Sequence, residues 1–303
     1  MKLGFALPQI GKNAGPDGLV KAAEVAEKLQ YDSVWVLERL MWPIKPVDKY
    51  PVTADGRLPE LYQTVLDPIE TLTYVAGITK NVKLGTSVLV APYQSPLLAA
   101  RRLATLDLLS KGRLLCGLGV GWSRDEYAAC GVPFANREAR MKEWLDVVVA
   151  VWTQDTVEYK GKYYTVPASK IGPKPVQKPH PPIYQAAYTP RALERTGLFQ
   201  GWNPTPPPSW DWLREQTTKL KEVARRAGRN PDSLQTVLRT FLAVSDQPRG
   251  ADGWLFTGTM AQIKDDTKRA AELGVTHIVM DLQFSIGELD PMMQALHRLR
   301  ELA

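Results

Sequence analysis

The residues able to do chemistry gather at the ends of apolar runs. "SVWVLER" ends on Glu38 and Arg39, an acid beside a base, and Trp42 follows shortly after. "LLCGLGVGW" dissolves into Gly117, Gly119 and Gly121 and closes on Trp122. "KLGTSVLVAP" sets Gly85, Thr86 and Ser87 inside an otherwise apolar stretch. "AAYTP" offers the hydroxyls of Tyr188 and Thr189 just before Pro190. Glu38 and Tyr188 are the candidates for holding a proton. Arg39 has two readings: an ion pair with Glu38, or a cation that stabilises negative charge developing on a ligand.

What surrounds these residues excludes several kinds of chemistry. The chain has three histidines, His180, His277 and His297. The first lies between prolines, the second opens a strand and the third falls on the last helix, so all three read as structural. No C-x-x-C or H-E-x-x-H motif compensates, and no metal centre is expected. "GVGWS" lacks the serine between glycines that a nucleophile elbow needs. A dinucleotide fingerprint requires G-x-G-x-x-G, but the run from Gly117 reaches Trp122 where the last glycine belongs. No Lys-Ser or Lys-Thr pair follows for a phosphate loop. Two readings of Gly119, Val120 and Gly121 stay open. They turn the chain, or their missing side chains let a flat ligand lie against the backbone, with Trp122 as a wall. Gly85, Thr86 and Ser87 read as a bulge facing that ligand. Asp107 in "TLDLLSKGR" reads as a helix-terminus residue or as a partner of Arg113.

The elements that position these groups follow from periodicity. Strands are expected over 2–7, 33–37, 82–89, 113–119, 183–187, 198–201, 234–244 and 276–282. Helices are expected over 17–30, 67–79, 96–109, 123–129, 137–152, 190–196, 210–227, 259–273 and 290–302. Residues 40–60 form a long irregular loop, and "VEYKGKYYTV" forms a small hairpin. The strands are short and nearly all apolar, as they are when both sheet faces are buried. Eight strand-then-helix units point to an α/β fold, a (β/α)8 TIM barrel with short loop insertions, as one domain over 1–303. A doubly wound open sheet would leave two edges to protect. The candidate residues then fall at the C-terminal ends of strands, where barrel active sites form.

Composition bounds the partners. Of 303 residues, 44% are hydrophobic, enough for a sizeable core. The net charge of +6 is scattered over 38 basic and 32 acidic residues, so nucleic acid is not an expected partner. No run reaches the roughly eighteen apolar residues of a membrane span. "MKLGFALPQIG" meets proline too early for a secretory signal, and two cysteines give no disulfide framework. A cytoplasmic protein acting on a small molecule is expected.

The stretch "GTSVLVAPYQSPLLAARRLATLDLLSKGRLLCGLGVGW" closely resembles the bacterial-luciferase-like superfamily. "YDSVWVLER", "GKYYTVP", "PKPVQKPHPPIYQAA" and "LGVTHIVMDL" extend the likeness over nearly the whole chain. The branch it is most similar to uses the deazaflavin coenzyme F420, in an actinobacterial subgroup of unassigned substrate. The resemblance implies an oxidoreductase that transfers a hydride between F420 and a small organic substrate. It also admits an FMN-dependent monooxygenase, or a non-catalytic flavin or deazaflavin binding protein, on the same scaffold. It implies a homodimer. It further implies a cis peptide at Ser87–Val88 behind the cofactor ring, contacts from Gly119, Val120 and Gly121 to ring and ribityl chain, and a phosphate site at Tyr188, Thr189 and Pro190. Arg39 would face the pyrimidine oxygens, and Trp42 and Trp122 would shape the open side, so Glu38, Arg39, Trp42 and Trp122 are the catalytic candidates. Two departures matter. Arg39 stands where relatives often carry histidine, and Trp122 stands where sugar-phosphate dehydrogenases carry glutamate. Both argue against glucose-6-phosphate dehydrogenase chemistry.

Overall fold

A computed structural model describes residues 1–251 and 253–302. In chain order the elements are β1 (Lys2–Ala6), α1 (Pro16–Lys28), β2 (Ser33–Val36), α2 (Pro68–Ile78), β3 (Lys83–Thr86), β4 (Leu89–Val90), α3 (Pro96–Leu109) and β5 (Leu114–Gly119). Then come α4 (Arg124–Ala129), α5 (Arg137–Thr153), the hairpin β6 (Thr156–Lys160) and β7 (Thr165–Lys170), β8 (Ile183–Gln185), α6 (Pro190–Thr196) and β9 (Gly201–Trp202). The chain continues with α7 (Trp210–Arg226), β10 (Gln235–Phe241), the pair β11 (Ala243–Val244) and β12 (Thr257–Gly258), α8 (Met260–Glu272), β13 (His277–Asp281) and α9 (Leu289–Leu299).

The strands run β3-β2-β1-β13-β10-β9-β8-β5-β4, and β3 also pairs with β5, which closes the ring. Every pairing in the ring is parallel. β3 and β4 are one stave interrupted at the cis peptide Ser87–Val88, so the result is the expected closed eight-stave barrel with helices outside. Helix starts follow their local chemistry. Pro16, Pro68, Pro96 and Pro190 occupy first turns, where a missing N–H costs nothing. Asp67 accepts from the Ile69 amide, and Thr259 and Gln262 form a capping box on α8.

The barrel interior corrects one expectation. Trp35 fills it on the inner face of β2. A Cβ on Gly85 would lie 2.2 Å from the Trp35 ring, and one on Gly4 would lie 2.8 Å from its Nε1. Gly85 therefore makes room for a protein side chain and not for a ligand. Thr86 answers the broken stave: its Oγ1 donates to the Gly117 carbonyl at 2.7 Å and accepts from the Gly117 amide at 2.9 Å.

Strand boundaries differ where tertiary contacts override the pattern. Residues 198–200 continue the turn after α6, since the amides of Leu198 and Phe199 donate to Arg195 and Thr196, and only Gly201–Trp202 enters the ring. Arg229 holds that turn through the Gly197 and Phe199 carbonyls. The stave expected over 234–244 ends at Phe241, and Ala243–Val244 turn aside to pair with Thr257–Gly258. At the opposite end of the barrel Asp107 and Arg113 do not pair. Asp107 accepts from the amides of Val176 and Gln177, while Arg113 donates to carbonyls of Ala76, Thr79, Val82 and Ser110. Among the described residues no helix is long and apolar enough to cross a membrane.

Candidate active site

Side chains alternate along β2, and the alternation runs on past its end. Val34 and Val36 face the layer between barrel and helices, Trp35 faces inward, and Leu37 joins Ile10, Tyr50 and Tyr62 over the barrel mouth. Glu38 and Arg39 therefore point apart. The Arg39 Nη1 donates to Glu126 of α4 at 3.0 Å, and its guanidinium lies 4.8 Å from the Trp122 ring centre and 5.6 Å from that of Tyr62. Glu126 also accepts from the Tyr93 hydroxyl and the Leu40 amide, each at 2.8 Å. The expected Glu38–Arg39 pair is replaced by Arg39–Glu126, because neighbours on an extended chain face opposite ways.

Glu38 turns toward α2 and α3 and accepts from the Val90 amide. Burial pushes its carboxyl up to about 7, the Val90 N–H pulls the other way, and Asp67 and Glu126 push it further up. It can hold a proton near neutrality, but the structure does not bring it beside Arg39.

Ser87 is buried, and its carbonyl, part of the cis peptide, accepts from Arg239 Nη1 at 3.0 Å. Arg239 stands on β10 and is held by Asp281 of β13, with Nε 3.2 Å from Oδ2 and a second contact from Nη2. Burial alone would lower the Arg239 pKa, but the Asp281 carboxylate outweighs it and holds the guanidinium above its usual value.

The glycine run packs against this stave. A Cβ on Gly119 would meet Val88 Cγ2 at 2.7 Å. Gly121 has φ +68°, and a Cβ there would meet Val90 at 2.7 Å and the Tyr93 hydroxyl at 2.9 Å. The space beside these two glycines is occupied by protein. Val88, Val120, Gly121 and Ala186 remain half-buried and form the accessible face of the mouth. Trp122 tilts against Tyr50 at 5.5 Å, and Trp42 donates from Nε1 to the Leu58 carbonyl at 3.1 Å. One arc of staves thus carries Arg39, Trp42, Trp122, Ser87, Val88, Gly119, Val120 and Gly121.

Tyr188, Thr189 and Pro190 are exposed just past β8, the neighbouring stave. The Tyr188 hydroxyl bonds Thr205 Oγ1 at 2.9 Å and its ring stacks on Trp212. Thr189 Oγ1 accepts from the Ala192 amide at 3.2 Å and caps α6.

Arg239, Asp281 and Glu126 were not singled out from sequence. The signal for the first two was present, a lone charge inside each of the apolar strands "TVLRTF" and "HIVMD". Nothing local marks Glu126. Among the described residues no group of His, Cys, Asp and Glu is placed to hold a metal ion.

A closed parallel barrel with charged side chains at the C-terminal mouth has the layout of a barrel enzyme. The chain belongs to the luciferase-like monooxygenase family, whose model matches residues 2–294. It is 31% identical over 263 residues to an uncharacterized protein of Mycobacterium tuberculosis, covering 86% of each chain. It is 34% identical over 187 residues to an F420-dependent glucose-6-phosphate dehydrogenase of Amycolatopsis mediterranei, covering 60% of this chain and 51% of that one. It is 28% identical over 171 residues to an FMNH(2)-dependent dimethylsulfone monooxygenase of Pseudomonas putida, covering 55% and 46%. Its fold matches that of the monooxygenase RslO1 from Streptomyces bottropensis with TM-score 0.81 at 18% identity, covering 99% and 98%. The family thus contains both F420-dependent and FMNH(2)-dependent oxidoreductases.

Proposed function

We propose that the chain is a single luciferase-like barrel domain that transfers a hydride between coenzyme F420 and a small organic substrate. The observation that carries the reading is the half-buried face of Val88, Val120 and Gly121 around the Ser87–Val88 peptide, with Arg39, held by Glu126 and Trp122, just past the end of the adjoining strand β2. A planar heterocycle bearing carbonyl and N–H groups fits this donor set. Arg39 Nε, a buried donor, finds no partner among the described residues. The higher identity to the F420-dependent relative than to the FMNH(2)-dependent one supports the choice of cofactor.

When bound, the deazaflavin supplies or accepts a hydride. The chain's own residues do the rest. Val88 would back the ring, and Arg239 holds the Ser87 carbonyl of the adjoining cis peptide in place. Val120 and Gly121 would flank the ring, with Gly119 holding the strand close against Val88 behind it, and Arg39 would hold its carbonyl oxygens. Trp42, Trp122 and Tyr50 exclude water from the open side. Tyr188, Thr189 and Pro190 meet the phosphate arm. Glu38 acts through the stave that it braces at Val90, as a positioning residue. The protein assembles as a dimer through α2 and α3, whose Tyr74, Ile78, Leu98 and Leu109 are exposed apolar side chains.

Titration of the purified protein with F420 and with FMN tests the reading. Micromolar F420 binding without an FMN response is expected, and Thr189→Arg weakens it. The reverse preference replaces the reading with an FMN-dependent monooxygenase. Tight binding without turnover of any carbonyl or alkene acceptor replaces it with a non-catalytic carrier.

A further inference from the structure

Beside the mouth lies a cleft of about 250 Å³, open to solvent on one side and walled by Tyr50, Val52, Pro59, Phe241, Trp254 and Phe284. Two of its walls pack against residues of the candidate site. Arg239, which holds the Ser87 carbonyl, lies with its guanidinium 5.3 Å from the Phe241 ring centre, and Phe241 packs edge-on against Phe284 at 5.0 Å. On the other side Tyr50 packs against Trp122 at 5.5 Å.

We infer that this cleft is the substrate subsite, and that the substrate is uncharged and largely apolar, with an aromatic or alicyclic body of about ten carbon atoms. The inference rests on the oxidoreductase reading above and adds the substrate class.

The size follows from volume. An enclosed cavity of about 150 Å³ holds a benzene ring, so the walled part of this cleft has room for a body of up to about ten carbons. The polarity follows from the side chains. Among the described residues the lining has no charged group. Its hydroxyls are already engaged: Thr53 Oγ1 donates to the Arg57 carbonyl at 2.8 Å, Ser285 Oγ to the Leu242 carbonyl at 2.7 Å, and the Tyr50 hydroxyl faces that of Tyr62 at 3.4 Å. The guanidiniums in contact with lining residues are matched by buried carboxylates, Arg239 by Asp281 and Arg249 by Asp266. A phosphate or carboxylate entering here would lose water and gain no partner, which disfavours it. An apolar ring gains contact with four aromatic side chains.

Trp254 is the specificity-determining wall. It is 48% exposed, yet its loop is tethered: Arg249 bonds both carboxylate oxygens of Asp266 and donates to the Trp254 carbonyl at 3.1 Å, while the Phe256 amide donates to Asp266 at 2.7 Å. An exposed tryptophan on an anchored loop, 6.4 Å from Phe241, closes one side of the cavity.

The test uses 1-tetralone, an uncharged bicyclic ketone of ten carbons, with 1-naphthoate and glucose 6-phosphate as anionic comparisons. Binding to the full chain is read by tryptophan quenching and equilibrium dialysis, and cofactor affinity is titrated on the same samples. 1-Tetralone binds at least tenfold more tightly than either anion. Ala243→Trp, which fills the cavity, and Trp254→Ala, at an exposed position, each raise its Kd about tenfold and leave F420 affinity within twofold. Equal binding of 1-naphthoate overturns the substrate class. Unchanged 1-tetralone binding in both folded variants overturns the subsite. If 1-tetralone binds and responds to both variants while neither cofactor binds, the cofactor reading fails and the cavity stands as a ligand site.

Discussion

Arg239 Nη1 lies 3.0 Å from the carbonyl oxygen of Ser87, a bond between residues 152 positions apart that crosses the barrel mouth from β10 to the interrupted stave. It sets the peptide that backs the proposed ring, and the ring of strands alone does not make it. Asp281 completes the arrangement by neutralising the guanidinium. Arg239→Ala leaves that carboxylate buried without its cation, held by the Gln283 amide and side chain, and a loss of about 3–5 kcal/mol is expected from such a break. The double variant Arg239→Met/Asp281→Leu removes both charges and recovers most of the loss. Urea unfolding of the three proteins checks this. A double variant no more stable than Arg239→Ala would show that the pair is not the source of the effect.

Glu38 makes stability depend on pH. Its ordinary value is 4.5 and in the folded chain it is about 7. Between these values the folded chain keeps a proton that the unfolded chain has released. Stability therefore falls as pH rises through that window and levels off above it. Glu38→Gln is neutral throughout and keeps an oxygen for the Val90 amide. At pH 8 the variant is expected to be more stable by about 1–3 kcal/mol, with the two proteins converging below pH about 4.5. Parallel unfolding free energies from pH 4 to pH 8 would remove Glu38 as the titrating group.

The barrel was legible because parallel staves are continuous apolar runs punctuated by helix caps, and both signals are local. The site was legible only in part. Arg39 was visible at the end of its strand, but its partner Glu126 lies 87 positions away on a helix that the local pattern does not aim. A glycine in a strand says that something approaches closely without saying what. At Gly85 the neighbour is Trp35 of the adjoining stave, and at Gly119 it is Val88, so the space assigned to a ligand at both positions is filled by side chains. The aromatic cavity was hidden for a related reason. Tyr50, Phe241, Trp254 and Phe284 come from four separate loops and strand ends, and only closure of the ring assembles them.

Gly85→Ala puts a methyl within 2.2–2.5 Å of three Trp35 ring atoms. Overpacking of this kind costs about 1–3 kcal/mol. Trp35→Leu gives up the Nε1 bond to Ser33 Oγ and the indole's packing, but it opens the space the methyl needs. A double-mutant cycle is expected to show favourable coupling, with Gly85→Ala nearly silent in the Trp35→Leu background. Cofactor affinity is expected to be unchanged in Gly85→Ala. A tenfold drop in affinity at unchanged stability would return Gly85 to the ligand-facing role suggested by its sequence context.

Gly119→Ala tests the same distinction at the mouth itself. The added methyl meets Val88 Cγ2 at 2.7 Å. If close approach of β5 to the broken stave is what requires glycine, the substitution costs about 1–3 kcal/mol, and Val88→Ala restores most of it by removing the opposing atom. Val88→Ala on its own is expected to weaken cofactor binding, because Val88 is the proposed backing of the ring. The informative comparison is therefore between Val88→Ala and Gly119→Ala/Val88→Ala. Equal cofactor affinity in these two proteins is expected, since the Gly119 methyl then occupies the volume vacated by valine and never reaches the ligand. A further tenfold loss in the double variant would mean that the methyl projects into the cofactor's own space, and that the glycine is there for the ligand rather than for the strand.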